Sequence, residues 1–205
     1  MFIVRCLCCL CFAAMLQSCA SISPSKPIEN LAYQTLNQQH LLNLATIRQF
    51  ALQGRIGVQA DGKGFSGGLH WRHDMANDNI ELYSPLGGQV ASINKTAGKV
   101  TLDDAKGNSI SAADAESLTQ NTLGWQLPLA GLTDWSLGRP THSKIDLITW
   151  DEFGRLSTLK QDGWSIEYQS YLEQNGHFLP SKITLRSDKV YLKLLIEKWD
   201  VFSQP

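Results

Sequence analysis

The sequence predicts a mainly β protein: an antiparallel meander, curled or barrel-like, with a few helices. Three observations carry that expectation. Apolar residues recur with period two in long stretches, first at Phe50, Leu52, Gly54, Ile56, Val58 and Ala60 and last at Val190, Leu192, Leu194 and Ile196. Turn signals divide the chain at spacings of about 8–12 residues. The length, 205 residues, suits one domain.

The chain opens Met1-Phe-Ile-Val-Arg5, continues in an apolar run from Cys6 to Leu16, and reaches Gln17-Ser18-Cys19. One basic residue ahead of about eleven apolar ones is the layout of an export signal. The run falls short of the roughly 20 residues that a membrane-spanning helix needs. Leu16-Gln17-Ser18-Cys19 resembles a bacterial lipobox, in which the cysteine receives a diacylglycerol. The plainer alternative is an ordinary signal peptide that happens to be rich in cysteine. On the lipobox reading residues 1–18 are removed and Cys19 carries a diacylglycerol and an N-acyl chain. Residues 19–30, with Pro24 and Pro27, then form a flexible tether. At ~0.8 kcal/mol per buried methylene, one chain of roughly 14 methylenes contributes on the order of 10 kcal/mol, so three make a lasting anchor. Ala20 and Ser21 follow with no aspartate beside Cys19, which by the sorting rule of enterobacterial lipoproteins favours the outer membrane. All the cysteines (Cys6, Cys8, Cys9, Cys11 and Cys19) lie in this leader. The body of the protein therefore has neither a disulfide framework nor a thiolate metal site.

Residues 31–205 are expected to fold as the single domain. Leu31 to Arg48 is long enough for a helix, with Tyr33, Leu36, Leu44 and Ile47 on one face. The strand at 50–60 follows, and after Asp61-Gly62 the alternation continues through Phe65, Leu69 and Trp71. Further strands are expected at 78–84, 89–95, 98–103 and 107–111, joined by Pro85-Leu86-Gly87-Gly88, Ala97-Gly98 and Lys106-Gly107. Ser111-Ala-Ala-Asp114 matches a capping box for a helix through Ala115, Leu118 and Thr122 to Gly124. A shorter helix is framed by Pro128 at its start and by Gly138 and Pro140 at its end. Strands resume at 144–150, 155–161, 164–172, 179–187 and 190–201, for a total of about eleven strands and three helices.

Composition excludes several functions. Eighteen basic against 19 acidic residues imply no strongly basic surface for nucleic acid. Mean hydropathy is slightly negative at −0.17, unlike a multi-span membrane protein. Gly62-Lys-Gly64-Phe-Ser-Gly67 satisfies G-x-G-x-x-G, with Glu81 downstream, but a dinucleotide site needs a helix after the glycines. Here Leu69-His-Trp71 alternates as a strand. Gly64-Phe-Ser66-Gly-Gly68 satisfies the nucleophile-elbow pattern but lacks the same helix. The simpler explanation is a glycine-rich strand that bends within a curved sheet. Among the histidines, His70 and His73 alone are close, and an i, i+3 pair on a strand faces opposite sides. Neither an enzyme nor a metal or nucleotide cofactor is expected, the covalent lipid on Cys19 apart.

Several segments, in order, resemble outer-membrane lipoprotein receptors of the LolB family. They are Gly54-Arg-Ile-Gly-Val58, Ser84-Pro-Leu-Gly87, Leu123-Gly-Trp-Gln-Leu-Pro128, Leu132-Thr-Asp-Trp135-Ser-Leu-Gly138-Arg-Pro140, Gln161-Asp-Gly-Trp164 and Leu179-Pro180. The resemblance implies an open, incomplete antiparallel barrel of eleven strands with three lid helices around an apolar cavity. It implies a receptor that accepts lipoproteins from the soluble carrier LolA and inserts them, without nucleotide, into the inner leaflet of the outer membrane. The partners it implies are LolA with its cargo and outer-membrane lipids, and the expected form is a lipid-anchored monomer facing the periplasm. Another envelope lipoprotein carrying a different lipid, or sensing mislocalised lipoproteins, is the alternative, followed by an esterase.

Three acyl chains carry on the order of 40 methylenes, and at ~0.8 kcal/mol each their exposure to water excludes free diffusion. An apolar hollow must therefore shield them. Its expected lining is Leu52, Ile56, Val58, Leu69 and Trp71 from the early strands, with Ile80, Leu82, Leu192 and Leu194. These residues would equally pack a closed core, and periodicity does not separate the two. Leu86 is the sharpest single expectation, because Pro85-Leu86-Gly87-Gly88 is a tight connection where polar tips are usual. Read locally, its side chain tucks back under the sheet. The resemblance implies instead that it projects and delivers cargo to the membrane, with Pro85 and Gly87 shaping the loop.

Overall fold

A computed structural model describes residues 27–60, 62–123 and 128–203, with the backbone alone at 27–30, 121, 123 and 203. Residues 1–26, which include the expected export signal and Cys19, lie outside the described residues, as do Asp61, Gly124 to Leu127 and residues 204–205. Packing divides the chain after residue 32, and the contacts below are those of residues 33–203.

The expected first helix is displaced. Helix α1 is Pro27–Leu44, with proline at the first helical position, where its missing N–H costs nothing. It stops at a turn in which Thr46 Oγ1 donates to Asn43 O at 2.8 Å. Ile47, expected on the helix face, instead starts strand β1 (Ile47–Ala60) and is 2% exposed there. Its β-branched side chain suits the sheet, and pairing with Ser203 at the far end of the chain settles the matter.

β1 is followed by β2 (Lys63–Asp74), β3 (Asn77–Tyr83), β4 (Gln89–Thr96), β5 (Lys99–Asp104) and β6 (Ser109–Ala112). Helices α2 (Ala115–Leu123) and α3 (Leu129–Ser136) come next, then β7 (Ile145–Trp150), β8 (Leu156–Gln161), β9 (Trp164–Gln174), β10 (His177–Arg186) and β11 (Val190–Ser203). All the strands join one antiparallel sheet in the order β6-β5-β4-β3-β2-β1-β11-β10-β9-β8-β7. The meander thus runs twice. β1 and β11, the longest strands, pair from Ile47↔Ser203 to Ala60↔Val190 at the centre, and α2 and α3 carry the chain from one edge to the other. β6 and β7 do not pair with each other, so the sheet stays open.

The capping box also resolves differently. Ser111 belongs to β6, where its hydroxyl lies 3.1 Å from Thr101 Oγ1. Asp114 caps α2, its Oδ1 accepting the Ser117 N–H at 2.6 Å. α3 ends as expected: Gly138 sits at φ +79 and its N–H donates to Trp135 O at 3.0 Å. A Cβ at Gly138 would press on the Pro180 ring at 3.1 Å, so the glycine also permits close packing.

Apolar side chains line one face, and register aligns them: Val58 opposes Leu192, Ile56 opposes Leu194, Trp71 opposes Ile80, and Ile93 opposes Leu102. At the β7–β10 side α3 fills the space. Trp135, Leu137, Leu156, Leu159, Ile166, Leu179 and Ile183 are each at most 1% exposed, and each such large side chain contributes roughly 1.5–3 kcal/mol. Gln161 locks this helix down. Its Oε1 accepts from Trp135 Nε1 at 3.1 Å and Thr141 N at 3.0 Å, while Nε2 donates to Thr141 O and Ser143 O. Tyr168 OH donates to Trp135 O at 3.0 Å.

Candidate functional site

On the other side of the same face the side chains do not meet. Strands β1–β5 and β11 enclose a cavity of about 300 Å³ with Leu132 of α3 above it. Ile56, Val58, Leu69, Trp71, Ile80, Leu82, Leu192 and Leu194, all expected from alternation, line it. Leu52 does not. It lies further along β1, opposite Trp71 and Trp199 and beside Phe50, and is 1% exposed in filled core. The large rings at that end leave no space beyond it. Phe65, Val90, Ala91, Ile93, Leu102 and Leu132 complete the apolar wall. Alternation in β4 and β5 could have identified Ile93 and Leu102, whereas Leu132 depends on where the helix lands.

A single charged side chain, Asp104, reaches this lining. Its carboxylate is spoken for, accepting from Lys106 N at 2.8 Å, Asn108 N at 2.9 Å and Asn108 Nδ2 at 2.7 Å. The Asn108 side chain, then its backbone N–H, holds the Asp104 pKa below its ordinary value. Trp71 is set by a carboxylate that the sequence reading passed over. Asp78, with a fully buried side chain, accepts from Trp71 Nε1 at 2.9 Å, lies 2.8 Å from His73 Nδ1 and pairs with Lys95 Nζ at 3.2 Å. Burial opposes its ionisation, yet hydrogen bonds from His73 and Trp71 and the nearby charges leave its pKa lowered.

Beyond the cavity, β3 and β4 are joined by a tight loop. Gly87 N donates to Ser84 O at 2.9 Å, Ser84 N to Gly88 O at 2.7 Å, and Gly88 N to Ser84 Oγ at 3.2 Å. Pro85 at the second turn position and Gly87 at φ +88 match a turn followed by a left-handed residue. Leu86, between them, is 98% exposed. It does not tuck back: the hydrogen bonds between Ser84 and Gly87–Gly88 close the loop beneath it and leave its side chain at the tip.

The glycine motifs are structural. Gly62 precedes β2 and Gly64, Ser66, Gly67 and Gly68 lie within it, with no helix following. A Cβ at Gly67 would stand 1.9 Å from Tyr83 O, so the residue lets β2 and β3 approach. Ser66 is an exposed strand residue rather than an elbow. His70 lies near Glu81 and Tyr83, while His73 is turned to Asp78 on the other face. Among the described residues no cluster of three potential metal ligands occurs, and no helix is long and apolar enough to cross a membrane.

The fold is similar to that of a LolA superfamily protein from Nitrosomonas europaea, with a TM-score of 0.51 at 10% identity over 82% of this chain and 94% of that one. A DUF1329 family protein from Desulfovibrio piger gives 0.50 at 7% identity over 83% and 92%. In sequence the chain is similar to the outer-membrane lipoprotein LolB of Pseudomonas fluorescens, 35% identical over 92% of both chains. It is likewise 32% identical to that of Pseudomonas syringae over 91% of both. The profile of the family described as outer membrane lipoprotein LolB matches residues 48–199, a span that takes in every residue lining the cavity and the Leu86 loop. The chain belongs to the LolB family.

Proposed function

We propose that the cavity beneath Leu132 is where this protein shelters the acyl chains of its cargo, and that Leu86 starts their transfer into the bilayer. The protein is an outer-membrane lipoprotein that receives lipoproteins from LolA and inserts them into that membrane. What supports the finer reading is the apolar cavity, whose one charged lining residue is bound within its own turn. Van der Waals contact and water exclusion recognise methylenes without regard to the protein attached to them, as a general receptor requires.

A cavity of about 300 Å³ has the volume of roughly ten waters, far less than three acyl chains. Loading therefore needs the walls to part. α3 is bonded to the β8–β9 side through Trp135, whereas its Leu132 only touches the cavity wall, so the gap opens between this helix and β1–β5. Acylation of Cys19 places the receptor on the membrane that it serves, and a monomer has all the parts in one chain.

The test is transfer in the absence of nucleotide. Lipoprotein bound to LolA is mixed with the purified receptor, and exchange of the cargo is followed before membranes are added. Transfer is expected; none, with hydrolysis of acyl esters that Ser66→Ala abolishes, would point to the esterase. In the second step Leu86→Glu is expected to accept cargo normally and to deliver it to vesicles at least tenfold more slowly. Delivery at the wild-type rate would remove the role assigned to Leu86.

A further inference from the structure

Turns of an antiparallel meander fall alternately at the two ends of the sheet, so those joining β1–β2, β3–β4, β5–β6 and β10–β11 share one end. In their order across the sheet they bring Lys106, Leu86, Lys63 and Lys189 to that end. Successive turns at one end are two strands apart, about 10 Å at the usual strand spacing. The exposed leucine therefore has a cationic turn on each side at roughly a Debye length. The Lys106 turn is tied to the strand leaving the Leu86 loop, Ala105 N donating to Val90 O at 3.1 Å. Lys63 and Lys189 share one open groove with Arg186, whose guanidinium lies 4.8 Å over the Tyr191 ring.

These four side chains are exposed, and none forms an ion pair among the described residues. Of the carboxylates at the same end, Asp104 is engaged by Lys106 N and Asn108. Asp188 is exposed between Arg186 and Lys189 and, with Glu116 and Asp162, lines the hollow on the far side of Lys189. Asp162, bonded to Ser143 Oγ at 2.7 Å, stands at the β8–β9 turn, beyond Lys189 and furthest from Leu86.

We infer that this end of the sheet docks on an anionic phospholipid surface, with Lys63, Lys106, Arg186 and Lys189 on headgroup phosphates and Leu86 in the acyl region. The inference rests on the reading of Leu86 as the delivering residue and adds the lipid class that it meets. A lone leucine on a fully exposed tip, flanked at about 10 Å by cations on separate turns, fits a flat charged surface with an apolar layer beneath it. An acidic protein would have to offer a leucine pocket and several carboxylates in that register. Each cation near such a surface changes attachment about fivefold.

The experiment uses the acylated protein, reconstituted into vesicles of phosphatidylcholine alone or with a quarter phosphatidylglycerol, and measures cargo acceptance and cargo insertion separately. The wild-type protein is expected to insert cargo about tenfold faster with phosphatidylglycerol present, an advantage that high salt removes. The triple variant Lys63→Glu, Lys106→Glu, Lys189→Glu is expected to accept cargo like the wild type and to lose that advantage. A triple variant that keeps it, or a wild type that never shows it, overturns the inference, as does a triple variant that fails at acceptance, which would assign the patch to the carrier. Failure of the wild type to accept cargo, or wild-type delivery by Leu86→Glu, instead strikes the proposed function.

Discussion

Asp78 shows how one side chain can hold a binding wall in place. Its carboxylate is fully buried and joined to Trp71 and His73 through one oxygen and to Lys95 through the other, so an asparagine keeps an acceptor for the indole but turns an amide NH2 toward the Lys95 ammonium. Asp78→Asn is expected to lower unfolding free energy by about 2–3 kcal/mol at neutral pH, measured by urea denaturation. The pH dependence has a definite sign. The folded-state pKa is lowered from 3.8, so the contribution is complete above that value and is lost as pH falls through the folded-state pKa. The gap between wild type and variant should therefore be constant at higher pH and begin to narrow as pH falls below about 4; a gap that does not change with pH would show that packing, not ionisation, causes it. The sequence contains the aspartate but not its role. His73 and Lys95 become its direct neighbours because β3 pairs with β2 and β4 in one register.

Within elements, glycines divide into those that space strands and those that do not. A Cβ at Gly67 would meet Tyr83 O at 1.9 Å, whereas one at Gly57 meets nothing within 4 Å. Gly67→Ala should cost about 2–3 kcal/mol through strand displacement, and Gly57→Ala should be neutral or stabilising by about 0.5 kcal/mol. Thermal unfolding of the pair checks this, and equal losses would contradict it. Strands were legible nearly to their ends because alternation against a one-sided core is a strong signal. The ends of α1 and α2 were not. Ile47 satisfies both a helical face and a strand, and only its partner Ser203 decides between them; Ser111 and Asp114 both suit a cap, and Ser111 is claimed by β6.

For the molecule as a whole, the consequential feature is that one sheet face is filled at one side and hollow at the other. Ile56, half-buried in the cavity wall, offers a test. Ile56→Trp should occupy the space and reduce cargo acceptance at least tenfold while leaving the unfolding midpoint unchanged or raised, since no close packing is disturbed. An acyl ligand supplied at a hundredfold excess over its Kd should stabilise the wild type by about 2.7 kcal/mol and the variant by much less. Equal stabilisation of both would place the acyl chains elsewhere. The β1–β11 pairing makes the fold depend on the first and last strands of the chain, which meet at the centre of the sheet. A chain ending before Val190 should accordingly show no cooperative unfolding transition, because the two meanders lose their shared centre.

By itself the sequence determined the element types, the apolar face of each strand, the glycine positions and the family, since these follow from local periodicity, turn chemistry and ordered short motifs. Only tertiary structure decided that β1 pairs with β11, that Leu52 is core while Ile56 and Val58 line a cavity, and that Leu86 projects. For Leu52, Ile56 and Val58 the reason is cover. An alternating apolar strand wants cover, but the strand does not specify whether a helix, another strand or empty space provides it. That depends on where α3 comes to rest, which Gln161, Trp135 and Gly138 fix across distant parts of the chain.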